Sequence, residues 1–134
     1  MTDELPWVVA WVVPKMEFEI PCWLMVKHKH RGWELPGGSL EGDEPAEIAA
    51  LRELFEEAGI LGTATDVDDS LFDEGTVVKI VVDDEPQPYG WESKDENIEE
   101  AGWCVEIPGG LHWGEGEIQR LIDHDWSKSR SLSS

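Results

Sequence analysis

Short runs of β-branched and aromatic residues, separated by Pro, Gly and charged residues, recur along the chain. Such runs are typical of β-strands. Strands are predicted at Trp7–Val13, Cys22–Lys29, Thr76–Asp83 and Trp103–Ile107, with a further short strand within residues 61–72. Connecting loops are predicted at residues 14–21, 31–42 and 84–102, and the last of these is long and polar.

Helical spacing of apolar residues occurs twice. A first amphipathic helix is predicted from about Pro45 to Ala58, with a core-facing stripe of Ile48, Leu51, Phe55 and Ala58. Gly59 stands where a left-handed C-terminal cap is expected. A second helix is predicted at Glu115–His124, and the serine-rich residues 127–134 are predicted to form a disordered tail.

These elements predict an α/β fold with a mixed sheet between helices. The 134 residues suffice for one domain with a real core, predicted to span residues 1–126. Cys22 and Cys104 lie in apolar runs without metal-ligand spacing, which predicts buried, reduced thiols. No apolar run reaches the roughly 18 residues of a membrane span, and no leader peptide is visible. We therefore expect a cytoplasmic protein.

The segment Gly38–Ile60 carries the most specific pattern in the chain. It reads GSLEGDEPAEIAALRELFEEAGI and fits G-x5-E-x7-R-E-U-x-E-E-x-G-U, where U is aliphatic. On a helix, residues three and four apart share a face, so Glu53, Glu56 and Glu57 should converge away from the apolar stripe. Like charges at this spacing repel by about a few tenths of a kcal/mol per pair. Arg52 can pair with Glu56 or with Glu44, but a divalent cation is the stronger candidate to offset that repulsion.

A solvated acidic helix face is the alternative interpretation of the three glutamates. It does not account for Gly37, Gly38, Glu44, Arg52 and Gly59 at fixed offsets. The complete pattern therefore favours a functional site.

This pattern resembles the defining motif of the Nudix hydrolase family, and the preceding residues 30–38 look like those of MutT-like members. The resemblance implies an α/β/α sandwich and hydrolysis of a diphosphate bond in a nucleotide. It implies that Glu53, Glu56 and Glu57 hold Mg²⁺ or Mn²⁺, completed by a backbone carbonyl of Gly37 or Gly38. Arg52 and Glu44 would orient the glutamates.

The resemblance leaves the substrate and the general base open. MutT-like activity on (d)NTPs, including 8-oxo-dGTP, is the leading hypothesis. ADP-ribose, dinucleoside polyphosphates and the 5′-triphosphate of RNA are alternatives, and a non-catalytic nucleotide-binding module is another class. For the general base, Glu96, Glu99 and Glu100 precede Trp103 in the expected segment, and Glu99 or Glu100 is favoured.

Basic and aromatic residues near the glycines are candidates for substrate binding. If Lys27, Lys29 and Arg31 lie on one strand, they share a face beside the phosphate site, with Arg31 the best candidate. The alternative is an edge strand protected by lysine. Trp33 and Trp91 could stack on a base.

The charge balance changes the expected environment and partners. There are 30 acidic and 10 basic residues, a formal net charge of −20. Such self-repulsion is screened at molar salt, which favours a halophilic protein over an acidic interaction surface. The same charge repels long nucleic acids, so a small nucleotide is the expected partner. The oligomeric state is open, a homodimer included.

Overall fold

The computed structural model describes residues 7–72, 75–112 and 114–132, and within these ranges the chain forms nine strands and two α-helices. The strands are β1 Trp7–Pro14, β2 Trp23–His28, β3 Gly32–Glu34, β4 Gly37–Ser39, β5 Thr63–Asp68, β6 Gly75–Val82, β7 Trp91–Glu92, β8 Ile98–Cys104 and β9 Arg130–Ser131. The helices are α1 Ala46–Ala58 and α2 Glu115–Asp123, and a 3₁₀ turn covers Trp126–Lys128.

The strands form two sheets. The first has the order β4-β1-β6-β5-β9 and is mixed, because β1 and β6 run parallel while the other pairs are antiparallel. The second sheet is antiparallel, with the order β3-β2-β8-β7. Pairing of β4 with β1 places the glycine segment beside the longest strands of the first sheet.

Strand β1 is buried on both faces, against different helices. Alternate residues from Val8 to Val12 join a core that contains Leu54 of α1. Val9 and Trp11 point the other way and join a second core with Ile118 of α2. The predicted α/β/α sandwich with a mixed sheet is therefore confirmed. Burial of both faces explains why the sequence of β1 is a continuous run of apolar residues.

Helix α1 has the predicted extent, but its buried face was predicted wrongly. Gly59 caps it in the left-handed conformation (φ 72°) and donates its N–H to the Phe55 carbonyl oxygen. Ile48 and Phe55, assigned to the core, are 50% and 54% exposed. The buried residues are Ala49, Ala50, Leu54, Glu57 and Ala58. The face of the helix chosen from its largest apolar side chains therefore differs from the face that contacts the core.

Two predicted loops contain strands. Residues 31–42 include β3 and β4, and the long segment 84–102 includes β7 and the first part of β8. The strand predicted at Trp103–Ile107 has the wrong bounds, since it overlaps only the end of β8, which begins at Ile98 and ends at Cys104. Short, glutamate-bearing strands lack the apolar run on which the prediction depends.

The serine-rich end is paired rather than disordered over its described residues. Strand β9 pairs with β5, and the Leu132 N–H donates to the Thr65 carbonyl at 2.9 Å. Ser129 Oγ donates to Asp68 Oδ2 at 2.6 Å. Residues 133 and 134 of the predicted tail lie outside the described part. No helix among the described residues has the length and apolarity needed to cross a membrane.

Candidate active site

The glycine segment lies directly against two glutamates of α1. The Gly37 N–H donates to Glu57 Oε1 at 2.9 Å. A Cβ built on Gly38 would stand 2.7 Å from Glu53 Oε1, closer than real Cβ contacts allow. Gly38 therefore lets the backbone of β4 approach the Glu53 carboxylate, and β4 and α1 form the two sides of the site.

Glu53 and Glu57 form an acidic pair in which Glu57 is buried and Glu53 is partly buried. The Glu57 residue is only 5% exposed. Burial raises the pKa of Glu57 well above its usual range, and the neighbouring Glu53 and Glu34 raise it further against the Gly37 hydrogen bond. Burial likewise raises the pKa of Glu53, although Arg52 opposes this. Both shifts run in the direction that favours a proton shared by the two carboxylates when no cation is bound.

This pair makes the ion-free protein sensitive to pH. A carboxyl whose pKa is higher in the folded than in the unfolded state contributes stability below the unfolded value, about 4.3. That contribution is lost as the pH rises through neutrality toward the folded pKa. A cation that replaces the proton would remove this penalty.

Arg52 connects the acidic groups around the start and middle of α1. Its Nε and Nη2 donate to the two oxygens of Glu44, each at 3.0 Å. Its Nη1 donates to Glu53 Oε1 at 3.0 Å and contacts Glu56 at 3.4 Å. A bidentate pair of this kind fixes the guanidinium plane. Arg52 thus links Glu44 to Glu53, and its predicted role together with Glu44 in orienting the glutamates stays a prediction.

The basic residues predicted for substrate binding occupy three different surroundings. Arg31 donates to both oxygens of Glu34, at 2.8 and 3.3 Å, and its side chain is 49% exposed. Lys27 lies on β2 and pairs with Glu99 at 3.5 Å. Lys29 follows the end of β2, so the three cations do not share one strand face. Only Arg31 borders the glycine segment.

Trp33, predicted to stack on a base, packs against the second core from β3. Its backbone N–H donates to the Gly110 carbonyl at 3.0 Å. The residue is half-buried, and its backbone carbonyl also accepts the His112 N–H at 2.9 Å.

Glu56 stands apart from the other two glutamates. Its side chain is 51% exposed and contacts Arg52, so the predicted convergence of all three glutamates on a solvent face is only partly met. Among the described residues, no three His, Cys, Asp or Glu side chains are placed to hold an ion without moving. The buried pair Glu53–Glu57 nevertheless offers only oxygen donors with excess negative charge, which fits a hard divalent cation. Rotation of the Glu56 side chain would add the third carboxylate.

Two cavities border this acidic group. The first, here called the glycine cavity, measures about 450 Å³ and is bordered by Arg31, Glu34, Gly37, Gly38 and His112. The second, here called the aromatic cavity, measures about 1220 Å³ and is lined by Phe55, Tyr89, Trp91 and Trp103. Glu56 lies on the wall of the aromatic cavity. Glu56 thus borders the aromatic cavity, whereas the glycines that contact Glu53 and Glu57 border the glycine cavity.

The segment Trp91–Asn97 contacts the end of α1 through hydrogen bonds that the sequence did not predict. The Trp91 indole N–H donates to the Ala58 carbonyl at 2.8 Å, and Ser93 Oγ donates to the Glu57 carbonyl at 2.6 Å. These bonds satisfy the free carbonyls at the end of α1 and fix the segment beside Glu56. Within this segment the sequence had indicated Trp91 for base stacking and Glu96 as one candidate general base, but not the contacts with α1.

Glu99 and Glu100, the favoured candidates for a general base, lie on β8 outside the lining of the aromatic cavity. Glu99 pairs with Lys27, and a Cβ on Gly90 would contact the Glu100 carboxylate. Asp95 and Glu96 do line the cavity.

The sequence profile of the NUDIX domain matches residues 7–106, most of the chain. The chain belongs to the Nudix family. The prediction of a Nudix hydrolase domain, made from Gly38–Ile60, is therefore confirmed, and the match includes both the glycine segment and the Trp91–Asn97 segment.

Solved structures of Nudix proteins share this fold. A Bacillus subtilis pyrophosphohydrolase superimposes with a TM-score of 0.61 at 20% identity, covering 93% of this chain and 85% of that one. A MutT structure from work on Aliivibrio salmonicida and Vibrio cholerae gives a TM-score of 0.56 at 25% identity, covering 88% and 96%.

A local sequence similarity links the chain to a curated Nudix relative. YtkD of Bacillus subtilis, a candidate 8-oxo-dGTP diphosphatase, is 57% identical over 37 residues. The match spans 28% of this chain and 23% of the length of YtkD.

Proposed function

We propose that this Nudix protein hydrolyses a diphosphate bond in a small nucleotide with the help of Mg²⁺ or Mn²⁺. The observation that carries the proposal is the buried Glu53–Glu57 pair held against Gly37 and Gly38. A merely solvated acidic helix face would leave these carboxylates in water, whereas Glu57 is 5% exposed. Retaining charge there is costly unless a ligand uses it.

Each residue of the site would have a separate role in holding the ion. Glu53, Glu57 and a rotated Glu56 would hold the ion, with Gly37 or Gly38 supplying a carbonyl oxygen. A bound ion would neutralise phosphate oxygens and lower the pKa of a coordinated water. Arg52 keeps Glu53 in place through its 3.0 Å hydrogen bond.

Arg31 is placed to bind a phosphate at the mouth of the glycine cavity. Its guanidinium is half exposed, and its pairing with Glu34 holds it in position. A planar fork of donors suits phosphate oxygens.

For the general base we propose Glu96 in place of Glu99 and Glu100. Glu96 is exposed in the aromatic cavity that Glu56 borders, and no hydrogen bond engages its carboxylate among the described residues. The neighbouring Asp95 accepts the Asn97 N–H at 2.8 Å and is already occupied. Replacing Glu96 with Gln should lower kcat more than KM; an unchanged kcat–pH profile would exclude it.

Among substrates we propose a MutT-like (d)NTP, with 8-oxo-dGTP first. The local similarity to YtkD supports this choice. ADP-ribose, dinucleoside polyphosphates and RNA 5′-triphosphates share the same cleavage chemistry. A non-catalytic module is disfavoured because all the glutamates of the pattern are intact.

A substrate panel tests the proposal. Each nucleotide is incubated with Mg²⁺ or Mn²⁺ at high KCl, and the products are separated to show which phosphorus is attacked. We expect nucleoside monophosphate and pyrophosphate from a (d)NTP, with loss of turnover on EDTA addition. Turnover that is unaffected by EDTA would contradict the role of the ion.

We also propose that the protein works in a salt-rich cytoplasm. The net charge of −20 should make its melting temperature rise steadily with KCl, because salt screens the repulsion between carboxylates. A melting temperature that is constant from low to molar KCl would exclude this adaptation.

A further inference from the structure

Glu34 is one of three buried acidic residues in the described part of the chain, with Glu57 and Asp68. Glu57 belongs to the proposed ion site, and Asp68 accepts a hydrogen bond from the C-terminal segment. Glu34 lies on β3, is 7% exposed and borders the glycine cavity. Burying a carboxylate is costly unless a specific partner uses its charge, and the partner of Glu34 is Arg31.

Glu34 occupies one edge of the Arg31 guanidinium and leaves the other edge open. Its Oε2 accepts from Arg31 Nε at 3.3 Å, and its Oε1 accepts from Nη2 at 2.8 Å. A guanidinium has five N–H groups, so three remain, two on Nη1 and one on Nη2. Over the ranges that the structure describes, Arg31 donates to no other group. Its open edge is a fork of donors that suits two phosphate oxygens.

Strand β3 gives this contact a fixed base. Arg31 lies in the turn before β3, whereas Glu34 lies within the strand, which is paired with β2. On its other side β3 is held by Trp33, which exchanges hydrogen bonds with Gly110 and His112 at 3.0 and 2.9 Å. An unrestrained arginine in a turn would have to be ordered when a phosphate binds, and that ordering lowers affinity. Glu34 supplies the order in advance.

A competing carboxylate makes this attachment necessary. The hydrogen bond to Glu34 raises the pKa of Arg31, and the charge of Glu57 raises it further. Glu57 is therefore close enough to attract the guanidinium. An Arg31 released from Glu34 would be drawn to the Glu53–Glu57 pair, away from the phosphate and into the place proposed for the ion.

We propose that Glu34 is a positioning residue for Arg31. It binds the Nε edge of the guanidinium, so that the edge formed by Nη1 and Nη2 meets the phosphate chain of the nucleotide. Glu34 itself does not touch the substrate. This inference rests on the proposed diphosphate hydrolysis and adds to it the residue that sets how the phosphate chain is bound.

The first part of the test measures kcat and KM for 8-oxo-dGTP with Mg²⁺ in Glu34→Gln. Gln carries no charge and can accept only one of the two Arg31 hydrogen bonds. It should raise KM by about 10-fold or more and leave kcat within about threefold. Because Gln is isosteric and neutral, the fold should be kept, which thermal unfolding checks.

The second part repeats the substitution in an Arg31→Lys background. An ammonium paired with Glu34 has no second edge, so it cannot offer a fork of donors to the phosphate. Arg31→Lys alone should therefore raise KM by about 10-fold or more. Adding Glu34→Gln should leave that KM equal or lower, because the lysine is released to the phosphate. Glu115→Gln, an exposed acid outside the lining of both cavities, controls for the loss of one charge and should keep the original KM.

Three outcomes would overturn the inference. A rise in KM of equal size in both backgrounds would show that Glu34 supports the fold without acting through Arg31. A loss confined to kcat would assign Glu34 to the chemical step. An unchanged KM in Glu34→Gln would remove it from substrate binding altogether.

If no nucleotide is hydrolysed, the proposed function fails but the role of Glu34 is still tested. Calorimetric titration with inorganic pyrophosphate and Mg²⁺ gives a Kd for the same variants, and the pattern expected for KM should appear in Kd. Pyrophosphate binding that Glu34→Gln leaves unchanged, or that the unmodified protein lacks, would refute the inference.

Discussion

Glu57→Gln should reduce turnover by more than about 100-fold while leaving the fold intact. Loss of residues that merely support a metal ligand commonly costs 10- to 100-fold, so loss of a ligand itself should cost more. Gln is isosteric, and its amide oxygen can still accept the Gly37 N–H that Glu57 accepts at 2.9 Å. Removing one of two buried, mutually repelling carboxylates should leave the ion-free melting temperature equal or higher at neutral pH.

Glu47→Gln is the matched control for that experiment. Glu47 lies in the first turn of the same helix and has no part in the proposed site. It should retain the original kcat. Activity in Glu57→Gln comparable with that of Glu47→Gln would refute the assignment of Glu57 to the ion.

Gly37→Ala should destabilise the fold, whereas Gly38→Ala should impair activity with little effect on stability. A Cβ on Gly37 would stand 2.3 Å from the Val8 carbonyl and 2.9 Å from Val9 Cα, both of which are backbone atoms of β1. Strands β4 and β1 would have to separate, at a cost of about 1–3 kcal/mol or a melting temperature lowered by roughly 5–15 °C.

In Gly38→Ala, by contrast, the added Cβ would meet a side chain that can move. A Cβ on Gly38 contacts the Glu53 carboxylate, which can rotate away and so leave the ion site. Thermal unfolding and kcat/KM measured on both variants separate the two effects. A stable, active Gly38→Ala variant would show that the close approach of β4 to Glu53 has no catalytic role.

The sequence predicted the extent of α1 and its cap well, because Pro45, Gly59 and the spacing of the Gly38–Ile60 pattern are local signals. It failed on the orientation of the helix, since small Ala50 and large Leu54 pack inward while Phe55 stays exposed. Phe55 lines the aromatic cavity instead of joining the core, so its apolar side chain misled the assignment of the buried face.

The sequence predicted only those parts of the candidate site whose residues lie close together in the chain. Gly37, Gly38, Glu53 and Glu57 meet across one strand and one helix, and the family resemblance of their segment implied a common site. The Trp91–Asn97 segment reaches the site through tertiary hydrogen bonds to α1 that link residues more than 30 positions apart. No periodicity in the sequence encodes such a contact. The sequence instead favoured Glu99 and Glu100 as the general base.

The most direct measurement is a calorimetric titration of the protein with Mg²⁺ in two buffers of different ionisation enthalpy, near neutral pH and at high KCl. Because Glu53 and Glu57 retain a proton in the ion-free state, binding should release it, and the observed heat should depend on the buffer. Glu57→Gln should lose both the binding and the buffer dependence. Equally tight binding by Glu57→Gln would place the ion elsewhere and contradict the account.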